Sequence, residues 1–123
     1  MRRAQDALLV PMAWLAFHDG SREWIKAGAG IAFTELAGNR RLFFHGAPLA
    51  RMLEVEDAAS MELGSHPLVA GEPRVRFLCA VPLVTPDGHA VGVLTVADRV
   101  PRRLEPAGRT ALENLAMLAI ARL

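Results

Sequence analysis

Two apolar runs of strand length, residues 74–84 (RVRFLCAVPLV) and 89–98 (HAVGVLTVAD), flank Thr85-Pro86-Asp87-Gly88. Proline early in a turn presets φ, and glycine at its end accepts the positive φ that a tight reversal needs. The two runs therefore read as an antiparallel hairpin. Pro101 ends the second strand, and Glu105-Pro106 opens a helix with proline at its first position, where the missing N–H is harmless. That helix runs to about residue 122.

The N-terminal part repeats the hairpin theme. Residues 2–9 make about two helical turns, which Pro11 stops because it lacks an N–H and restricts the residue before it. Residues 12–18 (MAWLAFH) read as a strand, Asp19-Gly20 as a hairpin turn, and residues 22–28 (REWIKAG) as the returning strand. Alternation puts Trp24 and Lys26 on one face of that strand and Glu23 and Ile25 on the other. Residues 29–73 are poorly patterned, with helical turns expected near 46–54, where Pro48 fits a first turn, and near 57–63. A long irregular segment in a compact domain either covers a binding site or moves.

The chain's 123 residues make one domain, and a 52% apolar share gives it a core without metal or disulfide staples. Its net charge of +1 leaves no electrostatic footprint for nucleic acid. One cysteine, Cys79, excludes an internal disulfide framework and any multi-cysteine metal site. No run reaches the ~20 apolar residues of a membrane span. Arg2-Arg3 before apolar residues resembles a secretory leader, but Asp6, Pro11 and the missing small-residue cleavage site oppose that reading. The expectation is a cytoplasmic α+β domain. Lys26 is the only lysine; the Arg-Arg pairs at 2–3, 40–41 and 102–103 read as solvated charge, balanced by Glu54, Glu56, Asp57 and Glu62.

The stretch from 66 to 106 carries many fixed spacings: Pro67-Leu68-Val69, Arg76-Phe77, Pro82-Leu83, Thr85 to Gly88, Gly92, Leu94, Val96, Asp98 and Pro101-Arg102. In these the chain resembles the GAF domains of bacterial sensory proteins, and residues 11–30 resemble the family's first two strands more loosely. The resemblance implies a PAS-related α+β fold. Its central antiparallel sheet has terminal helices on one face and a loop-and-short-helix lid on the other. It also implies that the first helix here is truncated. Two family positions differ in the lid: Leu42-Phe43-Phe44 replaces Ser-Phe-Cys, and Met61-Glu62-Leu63-Gly64 replaces Asp-x-Arg-Phe.

Strand parity sorts the side chains. Val75, Phe77, Cys79, Val81 and Leu83 share one face, expected toward the helices; Arg76, Leu78 and Ala80 share the other. By the resemblance, Val93, Thr95 and Ala97 face the lid, and so does Trp14. The candidate pocket is Trp14 with Phe43 or Phe44 for stacking, Arg76 for an anion, Leu78 as apolar wall and Thr95 for a hydrogen bond. A buried Arg76 must otherwise meet an acid such as Asp98 or a lid carbonyl.

No catalytic group, cofactor or metal is expected. His18, His45, His66 and His89 show no ligand spacing. The GAF-type free methionine sulfoxide reductases work through several cysteines, and bilin attachment needs one in the pocket; Cys79 meets neither requirement. The Asn-Lys-x-Phe-Asp-Glu signature of the cyclic-nucleotide subgroup is absent around Asn114. The resemblance implies a non-catalytic sensory or regulatory module coupled to an output domain or partner. The competing reading is a ligand-free interaction scaffold, to be separated from the first by whether the pocket is open or filled.

In the last helix, Ala111, Leu112, Leu115 and Leu118 are expected to cover the sheet, with Met117, Ile120 and Leu123 around the other side. An apolar second face predicts a homodimer through this helix.

Overall fold

The computed structural model describes residues 1–18, 22–37, 51–60 and 66–121. Helix α1 (Arg2–Leu8) leads into β1 (Met12–His18) and β2 (Arg22–Ala29), followed by the short β3 (Glu35–Ala37). Then come β4 (Leu53–Val55), a 3-10 turn at Ala58–Ser60 and the one-turn helix α2 (Pro67–Ala70). The chain closes with β5 (Phe77–Val84), β6 (Ala90–Asp98) and α3 (Pro106–Ala121). Among the described residues the strands form one sheet in the order β3-β2-β1-β6-β5-β4, and every neighbouring pair is antiparallel.

Both hairpins follow the sequence. Thr85 N donates to the His89 carbonyl and Gly88 N to the Thr85 carbonyl, closing the turn between β5 and β6. Gly88 takes φ 88°, as this reversal requires. The turn of the first hairpin, Asp19-Gly20, lies outside the described residues.

Parity gives the sheet two apolar faces. Ala13, Leu15, Phe77, Cys79, Val81, Leu83, Leu94 and Val96 meet Leu112 and Ala116 of α3 and Ala4 and Leu8 of α1. Met12, Trp14, Ala16, Leu78, Ala80, Val93 and Ala97 form the opposite face, covered by Leu68 and Val69 of α2, Val55 and Ala58. Arg102 fastens α1 to this frame. Its guanidinium donates to the Leu8 and Leu9 carbonyls and to Asp98, and lies 5.6 Å from the Phe77 ring centroid. A cation at unsatisfied terminal carbonyls stabilises a helix end, which a seven-residue helix needs.

Four expectations are corrected. The strand expected over 74–84 starts only at Phe77, because Arg74 turns the chain with φ 59°. Val75 therefore leaves the strand's parity and packs in the lid-side cluster, its N–H on the Leu68 carbonyl. The helical turn near 46–54 is replaced at its end by strand β4, which pairs with β5 along the sheet edge; residues 46–50 lie outside the description. On α3, Ile120 packs toward the sheet-side core, while Leu118 is 46% exposed. The sheet takes the i, i+4 line from Leu112 through Ala116 to Ile120, and this line leaves Leu118 outside.

Candidate functional site

Trp14 and Thr95 are paired residues of neighbouring central strands, and Thr95 is paired in turn with Ala80 of β5. Directly opposed Cβ atoms lie ~4.5–5.5 Å apart, so the two side chains rise from the lid face side by side. Both are fully buried. Among the described residues, Trp14 Nε1 and Thr95 Oγ1 have no hydrogen-bond partner. An indole N–H only donates, whereas a hydroxyl donates and accepts. A single acceptor between the strands would satisfy both. Leaving such groups buried and unpaired costs about 1–3 kcal/mol each.

The surroundings are apolar. Phe33, from the segment after β2, packs edge-on against Trp14, with ring centroids 5.2 Å apart and planes at 86°. Leu78 is fully buried in the same cluster. Arg76 stands at the margin. Its Nη1 donates to the Val69 carbonyl at 2.9 Å and the Val75 carbonyl at 3.1 Å, tying the end of α2 to the start of β5. Of the two structural partners anticipated for Arg76, the lid carbonyl is the one it meets; Asp98 pairs with Arg102 at 3.0 Å. Phe43 and Phe44 lie outside the described residues. The structure thus brings Trp14, Leu78 and Thr95 onto one face, with Arg76 beside them.

Cys79 has the opposite setting. It faces the helices and is fully buried. Burial pushes its thiol up to about 12, and the Glu54 charge adds to the rise. A thiol held protonated is a poor nucleophile. His66 caps α2, its Nδ1 accepting from Leu68 N, and His18 Nε2 meets the Ala90 carbonyl. His89 lies at the exposed turn against Asp87, whose carboxyl is held below its ordinary range by the Thr85 hydroxyl and by His89. Among the described residues no group of three His, Cys, Asp or Glu side chains is arranged to hold a metal ion, and no helix is long and apolar enough to cross a membrane.

Sequence reasoning passed over Phe33 and Arg99. Phe33 sits in an unpatterned segment, so only its packing on Trp14 reveals it. Arg99 follows β6 directly and lines a cavity with Ile31, Phe33 and Pro73.

A helix-backed antiparallel sheet whose other face carries a short-helix cover defines the class of the domain as α+β. Residues 1–123 match the family model described as GAF domain, and the chain belongs to that family. It is 35% identical over 116 residues to a cyclic di-GMP phosphodiesterase of Pseudomonas aeruginosa; the match covers 92% of this chain and 20% of that protein. The chain thus spans about a fifth of that relative's length. The GAF domain of a Coxiella burnetii phosphoenolpyruvate-protein phosphotransferase superposes with TM-score 0.78 at 16% identity, over 98% of this chain and 75% of the other. The corresponding Acinetobacter domain gives 0.72 at 18%, over 95% and 72%. A free methionine-R-sulfoxide reductase of Neisseria meningitidis gives 0.73 at 18%, over 96% and 70%. These structural likenesses establish the common fold.

Proposed function

We propose that this GAF domain is a sensory module of a bacterial signalling protein. It binds a small molecule on the lid face and transmits occupancy to an output domain or partner. The observation that carries the reading is the orphaned pair of Trp14 Nε1 and Thr95 Oγ1, side by side and fully buried. A ligand carbonyl or carboxylate oxygen accepts from both groups, and Phe33 and Leu78 flank it with apolar surface. Arg76 holds the end of α2 against the sheet, so movement of α2 is a route by which binding is felt. The 35% identity to part of a cyclic di-GMP phosphodiesterase supports placing the module in signalling. The buried Cys79, its thiol held protonated, supports a non-catalytic role.

A second reading, a ligand-free interaction scaffold, is favoured by one observation: the described side chains fill the centre of this face. Native mass spectrometry of the purified protein separates the two by seeking a copurified small molecule. Thr95→Val supplies the second arm. If a ligand is bound, the variant loses it and its melting temperature falls toward that of the stripped protein. If the scaffold reading holds, the wild type carries nothing. Thr95→Val then melts at or above the wild-type temperature, because it removes a buried unsatisfied hydroxyl.

A further inference from the structure

The segment following β2 and the loop following α2 border an open cavity of about 570 Å³, within the ~300–1,000 Å³ range of small-molecule sites. Ile31, Phe33 and Pro73 give it apolar walls, and Glu72 and Arg99 bring charge. The two charges are not equivalent. Glu72 lies 3.7 Å from Arg74, and with the two side chains 80% and 60% exposed its charge is screened by solvent. Asp98, adjacent to Arg99 in the chain, is held by Arg102 and by the Val100 amide. Among the described residues no hydrogen bond or ion pair engages the Arg99 side chain. The cavity therefore has one uncommitted cation over an apolar floor.

We propose that this cavity binds a small organic carboxylate. Arg99 takes the carboxylate, and Ile31, Phe33 and Pro73 take the apolar body. A guanidinium offers a planar fork of donors that matches the two oxygens of a carboxylate. An apolar wall adds affinity for a hydrocarbon or aromatic body that a bare inorganic anion cannot use. Phe33 links this cavity to the sheet, because its ring also packs on Trp14. Occupancy is thereby readable at the Trp14 indole. The site shares Phe33 with the surroundings of the Trp14–Thr95 pair, but it is built on Arg99 and stands without the ligand reading of that pair.

Benzoate is the probe, titrated into 15N-labelled protein and followed by NMR, with benzamide and inorganic phosphate as comparisons. Saturable shifts are expected at the amides of Gly30, Ile31 and Phe33 and at the Trp14 indole. Benzamide, which lacks the charge, and phosphate, which lacks the apolar body, should each bind at least about tenfold more weakly. Arg99→Gln should weaken benzoate by about tenfold or more, while Arg103→Gln, at another exposed arginine, should leave it unchanged. Because Arg99 is exposed, its substitution leaves the fold intact, and an unchanged melting temperature checks this. The benzoate result stands whether or not a small molecule copurifies with the wild type, so the two readings fail separately. Equal affinity in Arg99→Gln, equal binding of benzamide or phosphate, or no saturable shift in the millimolar range would overturn the proposal.

Discussion

Arg109 places two donors on one oxygen of Glu54, Nε at 3.0 Å and Nη2 at 2.6 Å, and the other Glu54 oxygen accepts from the Leu104 amide at 3.0 Å. Edge strand β4 is thereby fastened to the approach and first turns of α3. Glu54 is 12% exposed and Arg109 48%. A partly buried carboxylate with three donors loses more on truncation than a half-exposed arginine does. Glu54→Ala is expected to destabilise by about 1–3 kcal/mol, and Arg109→Ala by less. Urea denaturation of both singles and the double should give a coupling of about 0.5 kcal/mol or more. Additive effects would mean that the pair contributes nothing beyond its separate contacts.

The β5–β6 turn supplies a contrast between two glycines. Gly88 has φ 88°, and a Cβ added there meets nothing within 4 Å, so Gly88→Ala carries backbone strain alone. The expected loss is about 1 kcal/mol. At Gly92 a Cβ would stand 2.2 Å from the Ala16 carbonyl oxygen, a backbone atom that cannot yield without moving β1. Gly92→Ala should destabilise more than Gly88→Ala, and thermal melts of the two variants decide the order.

These contrasts indicate which parts of the fold the sequence made legible. The second hairpin was readable because Thr85 to Gly88 fixes the reversal and strict alternation assigns Phe77, Cys79 and Leu83 to one face and Leu78 and Ala80 to the other. The resemblance put Trp14 and Thr95 on the lid side, and the register that makes them neighbours is visible only in the structure. Nothing in the sequence signalled that their polar atoms stay unpaired, since that depends on residues packed over them from distant segments. Strand β4 was not legible. Three residues show no period, and their strand geometry comes from pairing with β5. Arg99 was equally silent, because its cavity is assembled from Gly30–Phe33 and Glu72–Pro73, which only the tertiary structure brings together.

Cys79 predicts a pH dependence. Its thiol rises from 9.0 to about 12 on folding, so between these values the folded state holds a proton that the unfolded state has lost. The stabilising term is fully present below pH 9.0 and is lost as pH rises toward 12. Stability should fall with a slope of up to about 1.4 kcal/mol per pH unit from this group. Cys79→Ala should lose that component of the slope. Thiol reagents should label the native protein slowly and the unfolded protein fast. Rapid native labelling would contradict the buried setting.

The last prediction concerns the outer side of α3. Met117 is 69% exposed and Leu118 46%. Met117 also borders an apolar groove with Val81, Pro82 and Val84, where α3 runs beside the end of β5. Exposed apolar surface of this continuity marks an association site. We propose that a second copy of the chain covers it through a two-fold contact, because one helix face laid against its own symmetry mate is self-complementary. Leu118 is added to the contact residues read off the sequence. Ile120 is partly buried and lines the same groove beside Met117, exposed Leu118 adjoins it, and Leu123 lies outside the described residues. Met117→Glu with Leu118→Glu should therefore convert a dimer to a monomer without lowering the melting temperature of the domain beyond what dissociation removes. Ile120→Glu, at a partly buried position on the same groove, should weaken the dimer and also lower the melting temperature of the domain. Analytical ultracentrifugation of wild type and double variant tests this. A wild-type chain that sediments as a monomer at high micromolar concentration would remove the dimer.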